Sequence, residues 1–312
     1  MKQVIAFFQL IRWPNLFFIA LAQVLFQYCI LFPLFKNVVP VFSITTFICL
    51  LLSSLFIAAA GYIINDYFDI NIDLINKPQK LFIGKTISRR WAIFWHSFLS
   101  FIGVVLGFYV GAKTHIFWIG FANLLCTLLL FVYSTTFKRR FLSGNIIISA
   151  LTAWSVAVLG FATFYGIMHN RENFRGISGA EILTYTIIYA TFAFIISLIR
   201  EAVKDIEDME GDIKYGCKTM PIVAGLNATK MYVGVWLVVL AGAIFILQVY
   251  AFKFKWWLAI IYALLLLILP LIIIFLSLIK AQKKEDFHKL SNLSKLVMLS
   301  GILSMVLFKI YL

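Results

Sequence analysis

Apolar residues run along this chain in long unbroken blocks, and polar residues gather in short stretches between them. A block of about 18 or more apolar residues is long enough to cross a bilayer as a helix. A helix also satisfies its own backbone groups, which the hydrocarbon demands. The blocks predict nine spans, at 16–35, 41–64, 92–112, 116–134, 145–165, 182–200, 227–248, 256–279 and 294–311. A membrane β-barrel would instead show alternating segments about half as long. Gln23 and Gln27 interrupt the first block, and the ninth is short and flanked by Lys295 and Lys309. Residues 2–14, with Lys2, Arg12 and Trp13, are mildly amphipathic and are expected at the interface before the first span. The longest polar stretches are 65–90 and 201–222, so no soluble domain is inserted. The pattern predicts an all-α, polytopic membrane protein, with residues 1–312 as a single transmembrane domain.

Composition agrees with the pattern. Of the 312 residues, 63% are hydrophobic and only 13% are charged, where a soluble domain carries about a quarter. The net charge of +14 raises nucleic acid as a partner. Its distribution points to anionic lipid instead, with no nucleic acid expected. With nine spans, only Lys36, Lys113, Arg171, Arg175, Lys253, Lys255 and Lys309 fall on the side away from the amino terminus. The other 20 of the 27 basic residues share the amino-terminal side, which is therefore predicted to be cytoplasmic. The expected location is the inner (plasma) membrane, with the carboxy terminus on the opposite face. Met1-Lys2 leads quickly into the first span with no small-residue cleavage site, so no cleaved signal peptide is read. Cys29, Cys49, Cys126 and Cys217 form no CxxC pair and read as small buried hydrophobes.

Nine of the 13 acidic residues fall in two short clusters, both on the predicted cytoplasmic side. The first reads Asn65-Asp66-x-x-Asp69-x-x-x-Asp73, and the second Glu201-x-x-x-Asp205-x-x-Asp208-x-x-x-Asp212. At about 100° per residue, the first set spans about 100° of one helix and the second about 60°. Glu207 and Glu210 point elsewhere on that wheel, and Gly211 marks a possible helix break before Asp212. Like charges at i,i+3 and i,i+4 repel. Mg²⁺ bound to a polyphosphate offsets that repulsion and suits hard oxygen ligands. Arg12, Lys138 and Arg200 at span ends, with Lys77 and Lys204 nearby, supply cations for a departing diphosphate. Arg139 and Arg140 read as plain topology charges. Tyr62, Tyr67 and Tyr133 lie at a depth where ring faces favour a carbocation. Trp13, Trp91, Trp256 and Trp257 read as interface anchors. Asp205 lies 139 positions after Asp66, each cluster following a long apolar block, which hints at two related halves.

The wording of these motifs resembles the UbiA superfamily of intramembrane prenyltransferases. The resemblance rests on Asn65 through Asp73 continuing to Asn76-Lys77-Pro78, and on Arg200 through Asp208 with Gly211-Asp212. Arg12-Trp13-Pro14-Asn15, Tyr133 through Lys138, Gly144-Asn145 and Lys218-Thr219-Met220-Pro221 extend it over nearly the whole chain. It implies nine helices around a central cavity and Mg²⁺ held by both motifs. Asn65, Asp66, Asp69 and Asp73 would serve the first motif, and Asp205 with Asp208 or Asp212 the second. Arg12, Asn65, Lys138, Arg200 and Lys204 would bind the diphosphate of a prenyl diphosphate donor. Asp69, Asp205, Lys138 and Tyr133 would stand closest to the chemistry. One departure concerns the loop after Pro78, which reads Gln79-Lys80-Leu81-Phe82-Ile83-Gly84-Lys85 where many members have an Arg-Pro pair.

The implied reaction is transfer of an isoprenyl group to a lipophilic acceptor with release of diphosphate. The motif wording resembles the branch that makes digeranylgeranylglyceryl phosphate, which would make geranylgeranylglyceryl phosphate the acceptor. Prenylation of 4-hydroxybenzoate or dihydroxynaphthoate stands beside it. A CDP-alcohol phosphotransferase would need a D-G-x-x-A-R run, and none is present. A cation-coupled transporter would place acids at mid-membrane, whereas these sit at span ends.

Overall fold

The computed structural model describes residues 2–35, 38–170 and 172–311 and, at Lys2 and Lys80, the backbone alone. Lys36 and Arg171, two of the charges assigned above to the far side, lie outside the described residues. Among the described residues nine helices are long and apolar enough to cross a membrane. They are Trp13–Phe35, Ile44–Phe68, Arg89–Thr114, Trp118–Thr135, Ser143–His169, Gly179–Glu207, Leu226–Lys253, Trp257–Lys280 and Lys284–Tyr311, here the first to ninth spans. The only β-type pairing among them is one isolated bridge, between Ile83 and Ile87.

Serine caps open three of the spans. Ser43, Ser88 and Ser178 each accept a hydrogen bond from the backbone N–H three residues on, at 3.2, 3.4 and 3.2 Å. Such caps satisfy N–H groups that the first turn leaves orphaned. The amphipathic segment at the amino terminus forms a helix over Lys2–Leu10. It stops at Arg12, whose φ of 51° lies in the left-handed region and turns the chain into the first span. Gln23 and Gln27 do not break that span. Gln23 is fully buried and donates from Nε2 to Ser54 Oγ at 2.9 Å and to the Ser155 carbonyl at 2.6 Å. The helix accommodates this stretch with a wider π-type turn over Phe26–Leu31.

The ninth span departs most from expectation. It begins at Lys284, ten residues before the apolar block. Its polar first turns are held by Asp286 Oδ2, which accepts from the N–H groups of Lys283 and Gln282 at 3.1 and 3.2 Å.

Small residues let the spans approach closely, as helix association in lipid requires. Gly103 lies against the Ser53 carbonyl, and a Cβ there would sit 3.2 Å from that oxygen. Asn123 Nδ2 donates to Ser53 Oγ at 2.7 Å, joining the second and fourth spans. Spans two, three and four pack together, as do spans five, six and nine, and span one touches two, five and nine. The ends of spans two and six that carry the two acidic clusters meet through the short helices that follow them.

Candidate functional site

The second span ends at Phe68 and the sixth at Glu207, each followed by an aspartate in the sparsely populated bridge conformation. Asp69 has φ −94° and ψ 1°, and Asp208 has φ −95° and ψ 2°. A short helix follows each bend, Ile70–Asn76 and Met209–Lys214. The backbone bonds repeat as well. Asp69 donates to the Asn65 carbonyl at 3.1 Å, and Asp208 to that of Lys204 at 2.9 Å. Asp73 donates to Asp69 at 2.8 Å, and Asp212 to Asp208 at 3.2 Å. The hint of two halves is thus realised as one local bend used twice, 139 positions apart.

The bends correct the wheel-based expectation. Neither acidic stripe lies on a single straight helix. In the second cluster the break falls at Asp208, not Gly211, which sits inside the short helix.

The two short helices pack on each other. Asn76 Nδ2 donates to the Asp208 carbonyl at 2.9 Å, and Gly211 N–H donates to Asn76 Oδ1 at 2.9 Å. Lys77 Nζ reaches Asp208 Oδ2 at 2.6 Å. Lys138 does turn inward, pairing with Asp69, which is 2% exposed. Arg12 Nη2 holds Asp66 Oδ1 at 2.6 Å, and its guanidinium lies 5.2 Å from the Tyr62 ring centre. Arg200 Nη1 and Lys204 Nζ both bind Glu201, at 2.8 and 3.0 Å. Asn145, two residues into the fifth span, donates from Nδ2 to Asp205 Oδ2 at 2.8 Å. Tyr133 is near Lys138, Glu201, Asp69 and Asp205, and its ring rests on Gly144, where a Cβ would be 3.2 Å from Cε2.

The sequence-predicted residues therefore converge from the Arg12 turn, spans two, four and six, the short turn Phe137–Arg139 that carries Lys138, and the two short helices. Their pairing is uneven. Asp66 is committed to Arg12, while Arg200 and Lys204 share Glu201 rather than an aspartate. Glu207 lies off the stripe, as expected, and pairs with His288 Nδ1 at 3.0 Å. Arg139 and Arg140 are exposed. Three contributors were missed as site residues: Asn145, Asn76 and Glu201 as the partner of two cations. Asn145 carried a signal, an amide beside glycine at the mouth of an apolar span. Asn76 carried none beyond its place after the first cluster.

Electrostatics are strongly coupled. Burial, with Asp69 and Asp66 close by, pushes Asp73 up to about 6. Burial, with Asp208 and Asp69 nearby, pushes Asp212 up to about 6 as well. Asp66 holds the Arg12 guanidinium firmly protonated. Lys138 is also held protonated, burial being outweighed by Asp69, Tyr133 and Asp73 together.

Among the described residues no three carboxylate, imidazole or thiol groups close around one point as a preformed metal cage. The donor set nevertheless suits Mg²⁺, because it is made of hard oxygens at the mouth of the membrane. Among the described residues Asn65 Oδ1 and Asp208 Oδ1 are buried without a hydrogen-bond partner, so each bend offers an unsatisfied oxygen. The loop after Pro78 closes on itself without the Arg-Pro pair. Ile83 is buried, Gly84 takes a φ of 87°, and Lys85 Nζ donates to the Pro78 carbonyl at 3.2 Å.

The sequence profile of the UbiA prenyltransferase family matches residues 24–296. The chain belongs to this family. It is an enzyme, a multi-pass membrane prenyltransferase. The digeranylgeranylglyceryl phosphate synthase of Sulfurisphaera tokodaii is 32% identical over 247 residues, which are 78% of this chain and 80% of the relative. That of Methanosphaera stadtmanae is 29% identical over 247 residues, 78% and 81% of the two chains. A solved digeranylgeranylglyceryl phosphate synthase shares the fold, with TM-score 0.67 and 24% identity over the full length of both chains. A UbiA homolog from Archaeoglobus fulgidus, solved with DMAPP and Mg²⁺, has TM-score 0.58 and 18% identity, covering 96% of this chain and 98% of the other.

Proposed function

We propose that this prenyltransferase moves a geranylgeranyl group from its diphosphate to geranylgeranylglyceryl phosphate, forming an ether and releasing diphosphate, with Mg²⁺ as cofactor. The observation that carries the reading is the twin bend, which sets two aspartate pairs against each other beside Lys138, Arg12 and Lys77. The two archaeal relatives named for this product support the choice of acceptor. Residues 1–312 act as one catalytic domain in the inner membrane, with the amino terminus and the site at the cytoplasmic face and the carboxy terminus opposite. Prenylation of 4-hydroxybenzoate or dihydroxynaphthoate is the competing outcome of the test. Nucleic acid has no role.

In this reading Asp69, Asp73, Asp205, Asp208 and Asp212, with Asn65 Oδ1, hold the metal, and Asp66 supports the site by orienting Arg12. When bound, Mg²⁺ neutralises diphosphate oxygens and draws electron density from the allylic C–O bond. Lys138 and Arg12 bind the diphosphate and stabilise the charge it gains on leaving. Arg200 and Lys204, steadied by Glu201, line the same anion. The C–O bond breaks with its electron pair going to diphosphate, and Tyr133 presents a ring face to the allylic carbon. The acceptor hydroxyl oxygen bonds to that carbon, and its proton passes to the departing diphosphate. Helices packed around the site keep bulk water from competing for the cation.

The test is mass spectrometry of products from purified protein given Mg²⁺, geranylgeranyl diphosphate and a pool of the three acceptors. Digeranylgeranylglyceryl phosphate as the dominant product supports the reading. A prenylated benzoate or naphthoate moves the protein to quinone synthesis.

A further inference from the structure

We infer that Asn76 is a positioning residue that fixes the spacing of the two metal-binding bends, acting as a clasp between the short helices. The inference rests on the proposed role of the aspartates as Mg²⁺ ligands. Asn76 is the last residue of the first short helix and is 8% exposed. Its side-chain amide uses both of its ends on the second short helix. Nδ2 donates to the backbone carbonyl of Asp208, and Oδ1 accepts from Gly211 N–H, each at 2.9 Å. These contacts fall on the backbone of the bend itself, so they hold Asp208 in place without using its carboxylate. An amide is the side chain that supplies one donor and one acceptor from a single rigid plane.

Glycine at 211 completes the fit. A Cβ there would lie 2.6 Å from Cγ, Nδ2 and Oδ1 of Asn76, so any larger residue displaces the amide from its two bonds. The outer side is held too. Lys284, the first residue of the ninth span, donates from Nζ to the Asn76 carbonyl at 3.3 Å. Lys77, next in the chain, takes Asp208 Oδ2. The position 139 residues after Asn76 is Tyr215, so the second half has no matching amide and the clasp is single. Asp69 and Asp208 belong to different helices, and their separation is set by whatever joins those helices. The bond pair at Asn76 joins them about two turns past the first bend and within one turn of the second.

Groups that orient metal ligands without touching the metal change metal affinity about 10- to 100-fold when removed. Asn76→Ala and Gly211→Ala are each expected to raise the Mg²⁺ concentration for half-maximal geranylgeranyl transfer about tenfold or more. The Mg²⁺ concentration that half-saturates thermal stabilisation of the purified protein, read without substrate, is expected to move by the same factor. At saturating Mg²⁺ both variants recover most of the wild-type rate. Because the alanine methyl at 211 meets the amide of Asn76, removing that amide relieves the clash. The double variant is therefore expected to be no worse than Asn76→Ala alone. Gly211→Ala changes no polar group and serves if Asn76→Ala fails to fold. Folded variants with the wild-type Mg²⁺ midpoint, or effects that multiply in the double variant, overturn the clasp. A wild-type protein with neither Mg²⁺-dependent transfer nor Mg²⁺-dependent stabilisation overturns the proposed function instead.

Discussion

Lys138 meets Asp69 at a bend where the carboxylate is almost fully buried, which is the ground for proposing this lysine as part of the chemistry rather than of the membrane topology. Lys138→Met is expected to lower single-turnover transfer about 100- to 1,000-fold, the range for losing one preorganised donor to a developing anion. Arg139→Ala, one residue on and exposed, is expected to stay within about twofold; equal losses in the two variants would contradict the assignment. Asp73 and Asp212 make the site sensitive to pH. Each binds its proton more tightly in the fold than in the unfolded chain, moving from 3.8 to about 6. Without metal, the two groups therefore cost stability as pH rises through that window. Mg²⁺ takes the ionised form, so its stabilising effect grows over the same range. The Mg²⁺-induced rise in melting midpoint is expected to be small at about pH 5 and complete by about pH 7.5. A rise of equal size at both values would remove these two aspartates from the ligand set. At this scale the sequence was informative for charged residues, because a charge in an apolar chain stands out. It was weak for Asn145 and Asn76, because an amide is ordinary in both loops and helices.

Helix phase and helix continuity are different properties, and only phase can be read from spacing. Asp69 and Asp73, like Asp208 and Asp212, are four apart, so a helical wheel draws them in line whether or not the helix bends between spans and short helices. That is why the stripes were visible and the bends were not. The ninth span hid its beginning for another reason. Hydropathy reports the part in lipid, while Lys284 to His288 continue the helix above it, tied to Asn76 and Glu207. Between the fifth and sixth spans the fit is tight. A Cβ at Gly160 would lie 2.7 Å from Thr186 Cβ. Gly160→Ala is expected to destabilise the protein by about 1–3 kcal/mol through overpacking. Thr186→Ala in the same chain is expected to restore part of the melting midpoint, and a Gly160→Ala variant that melts like wild type would show that the seam is loose.

The nine spans among the described residues and the bias of basic residues predict an orientation for the molecule, which labelling can check. In a chain whose native cysteines are replaced, Asn173→Cys between spans five and six is expected to react with an impermeant thiol reagent added outside the cell. Lys283→Cys, between spans eight and nine, is expected to react only after the membrane is opened. The reverse pattern would place the site on the wrong face for a cytoplasmic donor. Span number and order were legible because lipid imposes a length on every crossing. The packing that brings the short helices after spans two and six together was not, because lipid-facing and protein-facing apolar residues look alike in sequence. The central claim is that the paired bends carry Mg²⁺-dependent prenyl transfer. Its most direct test incubates wild type and Asp69→Asn with geranylgeranyl diphosphate and geranylgeranylglyceryl phosphate, with Mg²⁺ or with a chelator, and quantifies the diether product. Product only from wild type with Mg²⁺, with the variant at least about 100-fold lower though equally folded, is the expected result. Undiminished product from Asp69→Asn, or from wild type in chelator, would contradict the account.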